Sequence, residues 1–200
     1  DFPDDNPEYQ LIEKNILSKL KPFFEDDKNK FCGQNLKYDA LVLNNYKIKL
    51  NNIYFDTMVA AHLLKPDFNS LKLNSLSELY LSYNMLAIED LIGTGKGQKV
   101  MNEVPLSDIS FYAIEDADVV YQLVKKFEVL LKENDLDSSF YKIDMPLVSV
   151  LIEMEKNGVY LDMDFLSNLS GKFKIELDVL KKKIYNIYNN EFNINSPKQL

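Results

Sequence analysis

The sequence predicts an α/β domain that passes into a mostly helical segment, and three observations predict it. Two short strand, turn and helix units follow one another: KFCGQ leads into NLKYDALVLNNY, and IYF leads into TMVAAHLL. Residues 106–133 then keep a single helical period throughout, the best fit to one helix anywhere in the chain. After NDLDSS the composition changes, which sets an expected boundary near residue 143 and divides the chain into 1–142 and 143–200.

Taken in order, Leu11 to Phe24 has apolar residues at helical spacing and closes on the charged loop EDDKNK. KFCGQ reads as a short strand and tight turn with Cys32 buried, and Asn35 as the cap of a helix reaching about Tyr46. IYF is a second strand, Asp56 the cap of TMVAAHLL, and Pro66 the reason that this helix stops. His62 reads as a packing or surface residue. LNSLSELYLSY is an amphipathic helix opened by Asn74 or Ser75. IGTGKGQK lacks the spacing of a phosphate-binding loop and reads as a surface loop. Pro105 and Ser107 introduce the long helix from Leu106 to Glu133. MPLVSVLIEMEKNG is a helix ending at Asn157 and Gly158, GVYLD a strand, and the stretch from Asp162 onward a long lysine-bearing helix.

Composition narrows the chemistry. With 200 residues, 46% of them hydrophobic, the chain holds enough apolar material for a full domain and part of another. No apolar run approaches the length of a membrane span, and the opening DFPDDNPEYQ is unlike a signal or transit peptide, so no membrane partner is expected. One Cys and one His exclude a disulfide framework and a histidine-rich metal site, leaving carboxylates as the plentiful hard ligands. The net charge of -8 argues against a protein that simply coats DNA. That acidity is uneven: residues 1–162 carry 17 Lys against 27 acids, and residues 163–200 carry 6 Lys against 4. All 23 basic residues are Lys and Asn is abundant, the mark of an A/T-rich coding sequence.

The helix over 106–133 raises the functional question. At about 100° per residue with Tyr112 at zero, Leu123, Phe127, Val120, Ala113, Val124 and Ala117 fall between roughly 20° and 140°, defining a buried arc. Glu115, Asp118, Gln122 and Lys125 fall opposite and read as the solvated face. Asp116 falls near about 40°, inside the arc, with Tyr112 one turn before it. NLKYDALVLNNY repeats the pattern: Asp39 lies beside Leu43 and Tyr46, and Asn35 is four residues earlier on the same side. An isolated buried carboxylate costs several kcal/mol unless paired, hydrogen-bonded or bound to a cation. Capping a neighbouring helix or pairing with a lysine would account for either acid alone. For two such acids together, paired ligands of a hard cation account better, and such ions serve phosphoryl transfer.

GQNLKYDALVL and, well downstream, YAIEDADVVYQL closely resemble the second and third motifs of the 3′ to 5′ exonuclease domain of bacterial DNA polymerase I, the family A polymerases. The resemblance continues through YFDTMVAAHLLKPD, LNSLSELYL, MPLVSVLIEMEKNGVYLD and FNINSPKQL, and so covers nearly the whole chain. It implies a ribonuclease H-like exonuclease fold followed by the helical start of a polymerase domain. It also implies that Asp39 and Asp116 bind Mg²⁺ or Mn²⁺ in a two-metal site and that Tyr112 positions the attacking water. Asn35 would contact the single-stranded 3′ end of DNA, with Gln34 a lesser contact. Implied partners are DNA, as a 3′ end or primer-template, and the remainder of a polymerase chain.

The family's first motif, an Asp-x-Glu on an opening strand, has no counterpart here, and the resemblance implies that it lies upstream. The expected object is therefore an internal stretch of a replicative DNA polymerase with part of its proofreading site, inactive on its own. Two alternatives stay open: an exonuclease fold kept only as a scaffold, and a ribonuclease D-like exoribonuclease, against which the polymerase-like tail argues. The arginine-free, asparagine-rich bias suggests the apicoplast polymerase of a malaria-type parasite, with the cytoplasm of a low-G+C bacterium as the other setting.

Overall fold

The computed structural model describes residues 12–198, which form two compact units divided between Asn157 and Gly158. Leu11, expected to open the first helix, and the last two residues of FNINSPKQL lie outside the described residues.

In the first unit α1 (Glu13–Phe24) carries Pro22 in its last turn, where the chain is about to leave the helix. Strands β1 (Phe31–Gly33) and β2 (Ile53–Asp56) pair in parallel, with Cys32 opposite Phe55 and Gly33 opposite Asp56. Parallel strands need a crossover, and α2 (Leu36–Asn45) supplies it. Gly33 leaves room for Leu36 at the turn: a Cβ there would stand 2.5 Å from Leu36 Cδ2 and force that side chain to shift. α3 (Thr57–Leu64) begins directly on β2 and stops short of Pro66, as the residue before a proline disfavours helix. α4 (Leu73–Leu81) and the short α5 (Ile88–Ile92) follow, and α4 starts at Leu73 behind Lys72 instead of at a side-chain cap by Asn74 or Ser75. The glycine-rich loop is exposed and holds only a 3₁₀ turn at Gly95–Gly97.

The long helix α6 (Leu106–Glu133) spans the residues its periodicity predicted. It lies against α3, α4 and β1. Leu123, Phe127 and Leu131 are fully buried with Phe55 and Leu76, and Tyr80 meets Phe127 edge-on at 4.8 Å. Truncating Phe127 to Ala should cost about 3–5 kcal/mol, the range for an aromatic side chain removed from a closed core. Urea unfolding of this chain would show that as a lower midpoint with an unchanged slope.

After a turn at residues 134–136, where Asp135 has a left-handed φ of 57°, the chain runs without a break through α7 (Asp137–Ser139), a π-helical turn at Phe140–Asp144 and α8 (Met145–Asn157). Phe140, Met145 and Val148 are buried in the same core as Phe55. Packing therefore continues past residue 143 and ends at Asn157, where Gly158 adopts a positive φ of 69°.

In the second unit GVYLD forms no strand, contrary to expectation. A strand exists only with a partner to hydrogen-bond, and the described residues of this unit contain none. Asp162 instead caps α9 (Met163–Tyr188), accepting from the Phe165 amide at 2.8 Å. Phe192 folds back on the end of this helix, 5.4 Å from the Tyr188 ring, and its carbonyl accepts from the Tyr185 hydroxyl. Among the described residues no helix is long and apolar enough to cross a membrane.

Candidate functional site

The turn between β1 and α2 is built around Asp56. This carboxylate is 2% exposed and serves two helices at once. One oxygen accepts from the Leu36 amide at 2.7 Å; the other accepts from Asn35 at 3.1 Å, Met58 at 2.9 Å and Val59 at 3.4 Å. Asp56 thus caps α3, as expected from sequence, and also caps α2 across 20 residues of chain. Burial pushes its pKa up, and the four amides pull it back down.

Because Asp56 caps α2, Asn35 does not. It occupies the cap position with a left-handed φ of 59°, which asparagine tolerates, and its side chain makes no cap bond. Its carboxamide lines an open cleft. The Gln34 amide is engaged on both sides: it donates to the Leu71 carbonyl at 2.7 Å and accepts from the Thr57 hydroxyl. Gln34 therefore ties the β1–α2 turn to the chain before α4.

The cleft has a volume of about 750 Å³, within the range of small-ligand sites. Gln34, Asn35 and Asp39 stand on one side of it, and Tyr112 and Asp116 of α6 on another. All five sequence-selected residues line this one space. Met58, Leu73 and Ile88 add apolar surface, and Ala113 and Ala117 keep the α6 wall low. Cys32 also lines the cleft and is exposed, not buried in its strand as expected, since the cleft is open to solvent there.

The two acids share an electrostatic character. Desolvation pushes the Asp39 pKa up, its own amide opposes this, and the charge of Asp56 adds to the rise. Desolvation also raises Asp116, the adjacent charge of Glu115 raises it further, and a hydrogen bond from Tyr112 lowers it. Tyr112 is raised by desolvation and by Asp116 itself. Neither acid belongs to an ion pair among the described residues, where the three pairs involve Lys21, Lys37 and Lys156. Two carboxylates in one cleft, neither of them ion-paired among the described residues although Lys72 lines the same space, suit a divalent cation. They do not complete its shell: no cluster of three or more His, Cys, Asp or Glu among the described residues can hold a metal.

Glu115 corrects the sequence reading. Expected on the solvated face, it is 8% exposed. It accepts from the Tyr83 hydroxyl at 2.6 Å and from the Leu86 amide at 2.9 Å. The buried arc of α6 is rotated relative to expectation: Val119 is buried, while Ala113 and Ala117 are exposed along the cleft. On the wheel used above Val119 falls near about −20°, next to Glu115 near about −60°. Asp118 and Gln122 do face solvent, joined to each other by a hydrogen bond.

Comparison with known proteins identifies the family. A 3′-5′ exonuclease family profile from the family A DNA polymerases matches residues 5–132. DNA polymerase I of Borreliella burgdorferi is 39% identical over 191 residues, covering 94% of this chain and 20% of that protein. DNA polymerase I of Pseudomonas aeruginosa is 34% identical over 194 residues, covering 96% of this chain and 21% of that protein. This chain thus spans about a fifth of the length of these curated relatives. The POL domain of Pol1 from M. smegmatis, solved with DNA primer-template and dNTP, shares the fold with a TM-score of 0.70 at 21% identity, over 94% of this chain and 29% of that one. A profile match across most of the chain, over the same residues that build the cleft, settles its kinship: the chain belongs to the 3′-5′ exonuclease family of the family A DNA polymerases.

Proposed function

We propose that the chain carries part of the proofreading site of a DNA polymerase I-type replicative enzyme, which removes nucleotides from an unpaired 3′ end. The observation that carries this is the convergence of Asn35, Asp39, Tyr112 and Asp116 on one open cleft, with neither acid in an ion pair among the described residues. Asp39 and Asp116 would hold Mg²⁺ or Mn²⁺, which when bound supplies charge stabilisation at the scissile phosphate. The remaining ligands come, on this reading, from an upstream Asp-x-Glu strand of the parent polymerase. Tyr112 sits one turn from Asp116 and orients the attacking water with its hydroxyl. Asn35 presents its carboxamide to the sugar-phosphate of the terminal nucleotides, and Gln34 holds the turn that places it. Met58, Leu73 and Ile88 offer unpaired bases an apolar surface, which favours single strands without reading sequence.

Residues 1–142 on this reading are the exonuclease domain, and 143–200 the connector and the beginning of the polymerase domain, with α8 packed on the former. The partners are a single-stranded 3′ end, primer-template DNA and the rest of the polymerase. The named relatives are bacterial, which supports the bacterial cytoplasm over an apicoplast as the setting. In the parent polymerase, Asp39→Ala is expected to stop Mg²⁺-dependent release of a mismatched 3′ nucleotide while primer extension continues. Excision at the original rate in that variant would overturn the assignment.

A further inference from the structure

We propose that Glu115 is a positioning residue: by latching the Tyr83–Leu86 segment onto α6, it fixes the part of the cleft lining that carries Ile88 and so sets the fit of the cleft to a DNA 3′ end. This rests on the exonuclease reading above.

Both carboxylate oxygens of Glu115 are used, one by the Tyr83 hydroxyl at 2.6 Å and the other by the Leu86 amide at 2.9 Å. Hydrogen bonds to an ionised acceptor are among the stronger ones, and a buried carboxylate without them would be costly. The same segment is tied at its other side. The fully buried Ser77 of α4 donates to the Tyr83 carbonyl at 2.8 Å. Residues 83–86 therefore form a strap from α4 to α6, and α5 starts two residues later with Ile88 in the cleft. Adjacent helical positions diverge by about 100°, so Asp116 points into the cleft while Glu115 points into the strap behind its wall. One turn of α6 thus carries a group that faces the DNA site and the group that anchors the wall bearing Ile88.

Glu115 also sits beside Asp116 as a negative charge, and the experiment separates that effect from the latch. Tyr83→Phe removes the hydroxyl tie to Glu115 and leaves every charge, the Leu86 amide tie and the Ser77 tie in place. Glu115→Gln removes the charge and keeps one acceptor oxygen. In the parent polymerase, steady-state excision of a single-stranded oligonucleotide is measured for each variant, for the pair combined and for Asp116→Ala, with primer extension as the folding control.

If Glu115 acts as a latch, Tyr83→Phe and Glu115→Gln each raise KM by about tenfold and change kcat far less. The combined variant is then impaired less than the product of the two single effects, since both act on the Tyr83–Glu115 tie. Amide exchange at Leu86 quickens in Glu115→Gln. The proposal is overturned if Tyr83→Phe behaves as the original protein, or if the losses fall in kcat with KM unchanged, which is the signature of a charge effect on Asp116. Failure of the underlying exonuclease reading looks different, since Asp116→Ala would then excise normally.

Discussion

Replacing Asp116 by Ala in the parent polymerase is expected to reduce excision of a mismatched 3′ nucleotide by about 10³-fold or more, with primer extension intact. The size follows from what the side chain would hold: a cation that stabilises developing charge on a phosphate contributes several kcal/mol, and each 1.4 kcal/mol is tenfold in rate. Tyr112→Phe should be milder, roughly 10- to 100-fold, as expected for a group that supports a ligand and a water without binding the cation. The order of the two effects is informative. Asp116 is half-buried and carries a raised pKa from desolvation and from Glu115, which the Tyr112 hydroxyl offsets in part. A quench-flow assay on a primer with one mismatched terminal nucleotide resolves both variants, and equal rates for Asp116→Ala and the original protein would remove the cleft from the chemistry.

The largest effect on stability is expected at Asp56. Asp56→Ala leaves the amides of Asn35, Leu36 and Met58, and the more distant one of Val59, without their acceptor at the starts of α2 and α3. Loss of one N-cap costs about 0.5–2 kcal/mol, and an orphaned buried donor about 1–3 kcal/mol, so about 3–5 kcal/mol is expected for this double cap. That is a large share of the roughly 5–15 kcal/mol that holds an ordinary domain. Asp56→Asn keeps one acceptor oxygen and avoids burying a charge, but turns an amide nitrogen on one of its donors; about 1–2 kcal/mol is expected. Thermal unfolding ranks the two variants, and faster exchange of the Leu36 and Met58 amides in both locates the damage. Excision should weaken alongside, because Asp56 holds the Asn35 backbone in its left-handed conformation.

These two residues mark how far the sequence can be read. The helical period alone separated Asp116 from Asp118, and stacked Tyr112 one turn before it, because positions four apart on a helix are neighbours whatever the rest of the chain does. The same local geometry identified Asp56 as a cap for the helix that begins at the next residue. It failed where a partner is distant. The second helix that Asp56 caps starts 20 positions earlier, and the partners of Glu115 lie 32 and 29 positions upstream. No spacing rule connects such residues. Cys32 and GVYLD failed for a related reason, as a strand's burial and even its existence depend on what lies beside it.

The sequence by itself determined the main helices, the two strand, turn and helix units, and the choice of Asn35, Asp39, Tyr112 and Asp116 as candidates, since helical period and turn signals follow from contacts within one or two turns of backbone; that the two strands pair in parallel was decided by the fold. Only the tertiary structure decided that those residues line one cleft, that Gln34 spends its amide on internal ties, and that Glu115 anchors a strap instead of facing water. Those outcomes depend on how α4, α6 and β2 pack against one another. Packing is set by the shared burial of Phe55, Leu76, Leu123 and Phe127, residues far apart in sequence that meet only once the chain has folded.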